Sequence, residues 1–450
     1  MRVTWIQPED LLRHELIQSA VEGKVVDDVA ARWVAAGGTL DAPARGASPL
    51  PATATQCALA RYLLDELDRR PAPVSDDEPN DLASIRMQWT DPPPLPAVDP
   101  AALADRIHGA WLGRAAGCLL GKPVEGLSRA GIREILVATG RWPLDDWFTA
   151  RGLPDDVAAR QPWNRASRGT SLAENIDGMP EDDDLNYTML ALALVESNGT
   201  TFSTDAVATA WLRELPGLRV FTAERAAYRN LLDGIDPSEA AAIRNPYREW
   251  IGAQIRTDLY GWIAPGDPRS AAELAWRDAR LSHTRNGLYG AMFVAAMAAA
   301  ACVSDDVDTV ISAGLSVVPP RSRLARSVGH GLDLARRGVA YERAIDDLAA
   351  AHEGLHWVHV LNNAAVVTLA VATGQGDLAR TICAAVAAGW DTDSNGATAG
   401  GIAGAMRGAS RLPERWIAPL HDRVATSLPA FAGATFADLA ARTHALALRS

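Results

Sequence analysis

Apolar residues recur along most of the chain at intervals of three and four residues. One such series contains Leu185, Met189, Leu192 and Val195. This spacing places the apolar side chains on one face of an α-helix. Strict alternation of apolar and polar residues, which is typical of β-strands, is confined to short runs. The pattern therefore predicts an all-α protein, built as an orthogonal, multi-helix bundle.

A segment rich in proline and acidic residues interrupts the helical pattern. It begins with Pro71 and Pro73 and ends in a cluster of prolines over residues 92–100. Proline cannot occupy the interior of a helix without breaking its hydrogen bonds. The sequence therefore predicts a helical N-terminal module over residues 1–70, a linker over residues 71–100 and a large helical domain over residues 101–450.

Glycine recurs at every fourth residue in two segments. The first series is Gly109, Gly113, Gly117 and Gly121, and the second is Gly396, Gly400, Gly404 and Gly408. On a helix, each series forms a ridge without side chains, which allows a second backbone to approach closely. Because an interior glycine costs a helix about 1 kcal/mol relative to alanine, we expect close helix–helix packing to compensate at these two glycine ridges.

Composition and charge exclude several classes of protein. Hydrophobic residues make up 48% of the chain, which favours a large folded core, and the net charge of −12 argues against a nucleic-acid backbone as the main partner. The longest apolar run, Ala291 to Val303, is shorter than the roughly 20 residues that span a bilayer. The N-terminus is too charged for a signal peptide, and the four cysteines lack metal-ligand or redox spacing. These features predict a cytoplasmic protein without a membrane segment.

Two acidic segments carry the candidate chemistry. Residues 181–184 are Glu-Asp-Asp-Asp at a predicted helix start, and residues 391–395 are Asp-Thr-Asp-Ser-Asn just before the second glycine ridge. Carboxylate and hydroxyl oxygens are the ligands of hard divalent cations, and two such segments suggest two ions. Taken alone, each segment also fits a helix cap or an Asx turn. Their combination with the glycine ridges favours the metal site.

Four segments together resemble the ADP-ribosylglycohydrolase family. They are Asp105 to Glu125, the helix start at residues 182–184, Ser282-His283, and Gly389 to Ala405. Members of this family are all-helical hydrolases that hold two Mg²⁺ or Mn²⁺ ions and cleave the N- or O-glycosidic bond at C1 of the distal ribose of ADP-ribose. The resemblance runs from about Asp105 to Gly408. It implies the helical bundle of that family with an N-terminal extension, and an ADP-ribosylated protein or a small ADP-ribosyl compound as substrate.

The resemblance also implies roles for individual residues. The implied metal ligands are Asp182, Asp183, Asp184, Asp391, Asp393 and Ser394. A carboxylate must exchange a proton as the ribosyl bond breaks through an oxocarbenium-like centre, and Glu125 or an acid of residues 182–184, with Asp183 as the choice there, is assigned this role. His283 matches a histidine near the substrate, and Asn395 is assigned to substrate binding.

The sequence departs from the family pattern at several positions. Asp182 and Leu185 stand where the family has threonine. The added carboxylate makes the site more negative, which leaves the choice between Mg²⁺ and Mn²⁺ open. The segment from Thr222 to Pro268 is an elaboration outside the shared core, and the resemblance does not cover residues 1–70.

Other interpretations remain at this stage. His352-Glu353-Gly354-Leu355-His356 matches the H-E-x-x-H pattern of zinc peptidases, with His359 as a third ligand. Gly354 disfavours the helix that this pattern requires, so core or surface histidines are the preferred interpretation. The same two-metal site also suits another N-riboside or nucleoside-type substrate. A non-catalytic ADP-ribose-binding relative is the third class, although the intact sequence of residues 391–394 favours catalysis.

Overall fold

The computed structural model of the protein describes residues 2–73 and 75–449 and confirms the predicted all-α fold. The α-helices are, in chain order, α1 Pro8–Val21, α2 Asp27–Ala35, α3 Ala54–Arg69, α4 Leu82–Arg86, α5 Pro100–Gly121, α6 Arg129–Ala138, α7 Asp155–Arg160, α8 Asp183–Asn198, α9 Thr204–Glu214, α10 Thr222–Leu232, α11 Asp258–Trp262, α12 Pro268–Ala279, α13 Asn286–Ala301, α14 Val307–Ser316, α15 Arg323–Arg336, α16 Tyr341–Ala351, α17 Val360–Gly374, α18 Leu378–Ala387, α19 Thr392–Arg407, α20 Glu414–Ile417 and α21 Phe436–Ala447.

Short 3₁₀ turns connect several of these helices, at Lys122–Val124, Gly199–Thr201, Ile251–Arg256, Ala409–Arg411, Ala418–Leu420 and Pro429–Phe431. Within the described ranges, β-structure is limited to two isolated bridges, which join Met179 to Val424 and Trp250 to His359. None of the described helices is both long and apolar enough to cross a membrane.

Helix α13 lies at the centre of the bundle, and every one of its residues is buried. Its sequence is apolar on all sides, with small alanines throughout, so it can be enclosed by other helices without leaving polar groups unpaired. Helices α11, α12, α14 and α17 pack around it. The predicted apolar series of α8 is also buried in the same core.

The two glycine ridges pack against each other, because α5 and α19 run antiparallel in close contact. A Cβ atom added at Gly113 would overlap the carbonyl oxygen of Gly400, and one added at Gly400 would overlap that of Gly113. Gly117 and Gly396 face each other in the same way. The absence of side chains thus lets two backbones touch, and the antiparallel arrangement brings the end of α5 to the start of α19.

The N-terminal extension, residues 2–70, packs against the segment from Thr222 to Pro268. Trp5 and the inner faces of α1 and α3 share an apolar cluster with Tyr247 and Trp250. The buried Arg248 joins the two parts through ion pairs with Glu15 at 2.7 Å and Glu22 at 2.8 Å. Whether the chain divides into domains at residues 70 and 100 stays a prediction.

The linker is also attached to the core. Glu78 is buried and pairs with Arg323 at 2.9 Å and with Arg285 at 2.6 Å. Arg323 also holds the buried Glu249 at 2.8 Å. Through these ion pairs, the linker lies against the same surface that receives the N-terminal extension.

Candidate active site

The site begins where α5 ends and α19 starts. Thr392 Oγ1 donates a hydrogen bond to the carbonyl oxygen of Gly121 at 2.8 Å, and a Cβ at Gly121 would overlap the backbone of Thr392. Just before α19, Gly389 and Trp390 have φ angles of 83° and 62°. Such a left-handed conformation is costly for tryptophan and is often found beside functional sites. This left-handed turn directs the chain into α19 and places Asp391 and Asp393 where the start of α19 meets the end of α5.

The second acidic segment meets the first one across this junction. Asp182 caps α8, since its Oδ1 accepts a hydrogen bond from the Asp184 N–H at 2.9 Å. Ser394 Oγ lies 3.3 Å from Asp184 Oδ2 and donates to it. The tertiary structure therefore brings together the two segments that the sequence placed more than two hundred residues apart.

Two cations from α5 and the turn after it support these acids. Lys122 forms an ion pair with Asp182 and donates to the carbonyl oxygen of Glu181 at 3.2 Å. The fully buried Arg114 donates to the carbonyl oxygen of Asp184 at 2.8 Å and pairs with Asp258 at 2.9 Å. Sequence reasoning missed both residues, although their place in the glycine-rich helix and the turn that follows it was a usable signal.

The carboxylates form two groups with the spacing of metal ligands. Ligand atoms of Glu125, Asp391 and Asp393 lie within 4.8 Å of one another, and a second such group contains Asp182 and Asp184 together with Cys118. Burial raises the pKa of the Cys118 thiol well above its ordinary value, and Asp182 raises it further. Cys118 therefore stays a protonated core thiol, as its apolar sequence context predicted. The carboxylate oxygens of Asp182 and Asp184 remain available as metal ligands.

Burial and mutual repulsion disfavour the charged form of most of these acids. The pKa values of Asp183 and Asp184 lie well above the ordinary value because of burial and the charge of Asp182. Burial and the charge of Asp393 likewise raise the pKa of Asp391 well above its ordinary value. For Asp182 itself, burial is the largest influence and would raise the pKa. The charge of Lys122 and the hydrogen bonds that Asp182 accepts together outweigh burial and lower the pKa.

Glu125 follows the 3₁₀ turn at the end of α5 and is half-buried. Its Oε2 accepts a hydrogen bond from the Asn164 side chain at 2.6 Å. Burial, reinforced by the charge of Asp393, raises the pKa of Glu125 to about 8. A carboxyl group with this pKa is protonated near neutral pH and can serve as a proton donor.

These side chains form one wall of a cavity of about 340 Å³. The wall is made of Glu125, Asp182, Asp183, Asp391, Asp393 and Ser394. Residues that sequence reasoning did not anticipate also line this cavity, among them Trp5, Arg45, Arg219, Phe221, Ile251 and Trp357. A cavity of this size with convergent polar groups is suited to a small ligand.

His283 and Asn395 are placed behind this cavity rather than on its lining. His283 Nδ1 is 2.8 Å from Ser282 Oγ and 3.9 Å from Glu224 Oε1. Glu224 itself lines the cavity. Asn395 is fully buried and donates to Asn363 Oδ1 at 2.7 Å. Contact of either residue with substrate stays a prediction.

The H-E-x-x-H segment does not form the helix of a zinc peptidase. Helix α16 ends at Ala351, and Gly354 has a φ of 83° in the turn that follows. His352 Nε2 lies 3.0 Å from Ser327 Oγ, and His356 Nε2 lies 3.1 Å from the carbonyl oxygen of Ala44, so both histidines have hydrogen-bond partners. Among the described residues, the groups with metal-ligand spacing include neither histidine.

Comparisons with known proteins identify the family of the chain. An uncharacterised protein of Archaeoglobus fulgidus is 25% identical over 328 residues, which cover 71% of this chain and 93% of that protein. A solved structure described as an ADP-ribosylglycohydrolase-related protein complex shares 22% identity with a TM-score of 0.41, covering 77% of this chain and 97% of that one. The sequence pattern of the ADP-ribosylglycohydrolase family matches residues 99–447. The chain belongs to the ADP-ribosylglycohydrolase family of glycosidic hydrolases.

Proposed function

We propose that the protein hydrolyses the glycosidic bond at the distal ribose of an ADP-ribosyl group, using two divalent cations, Mg²⁺ or Mn²⁺. The observation that carries this proposal is the surplus of negative charge around the cavity. The site collects six carboxylates, from Glu125, Asp182, Asp183, Asp184, Asp391 and Asp393. Lys122 and Arg114 are the cations paired with them, and Arg114 is shared with Asp258.

The donor atoms suit hard divalent cations. Asp391 and Asp393 would hold one ion, and the segment at Asp182–Asp184 with Ser394 would hold the other. Glu125 would lie beside the first ion and stays free to act as the proton donor. All of these donors are oxygens, which Mg²⁺ and Mn²⁺ prefer. The raised pKa values of Asp183 and Asp391 support the assignment, because a cation at the site would supply the positive charge that the protein itself lacks.

In this proposal, different residues of the site have different roles in hydrolysis. When bound, a divalent cation would orient the ribose hydroxyls and lower the pKa of the attacking water. Glu125, held by Asn164, donates the proton that the leaving group needs. Asp183 lies on the same cavity wall and accepts the proton of the attacking water. Lys122 keeps Asp182 ionised and fixed at the start of α8.

The test is release of free ADP-ribose from ADP-ribosylated protein by the full chain, with Mg²⁺ or after chelation. Asp393→Asn removes one ligand charge, and we expect it to lower the rate by at least about a hundredfold while the fold persists. Asp205→Asn is the matched control, because Asp205 is an exposed acid in the first turn of α9, as Asp393 is in the first turn of α19. The control should keep the wild-type rate.

Two results would contradict the proposal. No release by a protein that still binds two ions per chain would point to another N-riboside as substrate. Neither release nor metal binding would place the protein among non-catalytic ADP-ribose-binding relatives.

A further inference from the structure

The N-terminal extension contributes directly to the candidate active site. Trp5 and Arg45 line the same cavity as Asp183 and Asp393. Both residues precede residue 99, where the match to the family begins. This chain therefore adds to the shared catalytic core a wall that the family pattern does not contain.

The loop that carries Arg45 is held in place from both sides. The carbonyl oxygen of Ala44 lies 3.1 Å from His356 Nε2 and accepts a hydrogen bond from Trp357 Nε1 at 2.8 Å. The Trp5 N–H donates to the carbonyl oxygen of Gly46 at 2.7 Å. These contacts fix the backbone on both sides of Arg45, so its side chain starts from a preorganised position.

The guanidinium of Arg45 lies next to the proposed proton donor. It donates to the backbone carbonyl of Glu125 at 2.6 Å and is stacked over the Trp357 ring, 5.6 Å from its centroid. Arginine has five N–H donors in a planar fork. Because Arg45 uses one of them on the Glu125 carbonyl, others can donate to a ligand. In the described part of the chain, Arg45 makes no ion pair, whereas Arg219 on the same cavity pairs with Glu181 at 3.0 Å.

We propose that Arg45 is a substrate-binding residue that recognises a phosphate group of the ligand, so that the N-terminal extension selects phosphorylated ribosyl substrates. The cavity wall at Asp183 and Asp393 repels an anion. Arg45 offers a cation there that lies beside Glu125 but forms no ion pair among the described residues. The planar guanidinium fork matches the oxygens of a phosphate, and stacking on Trp357 limits its motion. This inference rests on the proposed function, because ADP-ribose supplies both the ribose and the phosphates.

The experiment compares Arg45→Ala and Arg45→Lys with the wild-type full chain, loaded with Mg²⁺. Titration calorimetry measures binding of ADP-ribose, and hydrolysis gives kcat and KM separately. We expect Arg45→Ala to weaken ADP-ribose binding about 10- to 100-fold and to raise KM similarly, as for loss of hydrogen bonds to a charged group. Arg45→Lys should recover part of the affinity, because it restores the charge without the fork.

Arg61→Ala is the matched control, since Arg61 is an exposed arginine of α3 in the same extension and does not line the cavity. It should bind ADP-ribose as the wild type does. Thermal unfolding of each variant checks that the extension remains folded.

Three outcomes decide against the inference. Unchanged ADP-ribose affinity in Arg45→Ala overturns it and leaves the proposed function standing. A fall in kcat with unchanged KM and affinity would instead make Arg45 a positioning residue for the Glu125 turn. If the Mg²⁺-loaded wild type bound no ADP-ribose, the proposed function would fall, and the inference with it.

Discussion

Lys122 is one of only two lysines in the chain, and it pairs with Asp182 of the first acidic segment. The resemblance to the family implies a threonine at the position of its partner, Asp182. The ion pair between them is buried, since the two side chains are 9% and 4% exposed. At the residue scale, the extra carboxylate of this chain therefore comes with a counter-charge that keeps it ionised.

This pairing predicts a specific pattern of stability. Lys122→Met leaves Asp182 as an uncompensated buried charge, so we expect the metal-free protein to lose about 3–5 kcal/mol of unfolding free energy. The double variant Lys122→Met/Asp182→Thr should regain most of that loss, because both charges are gone. Denaturant unfolding of the single and double variants measures the coupling.

The other lysine provides the control. Lys24 is half-buried and donates only to the carbonyl oxygen of Leu67, at 3.1 Å. Lys24→Met should therefore change the unfolding free energy by about 1 kcal/mol or less. If Lys122→Met and the double variant lost the same unfolding free energy, the ion pair between Lys122 and Asp182 would have no role in stability.

At the scale of elements, the antiparallel contact of α5 and α19 determines where the chemistry lies. The backbones touch at Gly113 and Gly400, and again at Gly117 and Gly396. Helices normally lie 8–10 Å apart because of their side chains, so the glycine ridges allow a closer approach than usual. This approach holds Gly121 against Thr392 and thus sets the distance between Glu125 and the acids at the start of α19.

Gly113→Ala tests this contact. The new methyl group would overlap the carbonyl oxygen of Gly400, which is backbone and cannot rotate away. We expect the free energy of unfolding to fall by about 3 kcal/mol, and the metal affinity to fall as the two helices separate. Denaturant unfolding and metal titration measure the two effects.

Gly329→Ala is the matched substitution. Gly329 lies in the interior of α15, and a Cβ there would meet nothing within 4 Å. Alanine should therefore stabilise the protein by up to about 1 kcal/mol through helix propensity. A similar effect of both substitutions would show that propensity, and not the contact between α5 and α19, governs Gly113.

At the scale of the whole molecule, pH and divalent cations should act on stability together. Burial raises the pKa of Glu125 to about 8 and those of Asp183 and Asp391 well above the ordinary value. In the metal-free protein, the folded state therefore holds protons that the unfolded chain releases at lower pH. This proton binding therefore contributes to the free energy of unfolding. The contribution is complete below about pH 4, the ordinary pKa of these groups in the unfolded chain, and it is lost as the pH rises towards about 8.

Cations should reverse this loss, because binding to the carboxylates replaces the protons. We expect the rise in melting temperature on addition of Mg²⁺ to be small near pH 5 and largest near pH 8. Thermal unfolding across this range, with Mg²⁺ or with a chelator, measures it. Asp205→Asn should behave as the wild type does, and an Mg²⁺ effect that is independent of pH would contradict the prediction.

The sequence alone determined the helical fold and the acidic segments, because these are local properties. The apolar spacing of α8 and the four-residue glycine spacing depend only on the helical repeat, so they identified buried faces and a helix contact correctly. The acids at residues 182–184 and 391–393 could be marked as a metal site for the same reason. Their ligand roles stay predictions.

Tertiary structure decided which distant side chains meet these acids. Lys122 is 60 residues from Asp182, and the contact of His356 with Ala44 spans 312 residues. The direction of a side chain in a loop follows from packing and not from a repeat, so no local pattern could place Arg45 beside Glu125. The helical repeat thus made the fold readable from the sequence, while long-range packing alone joined the N-terminal extension to the cavity.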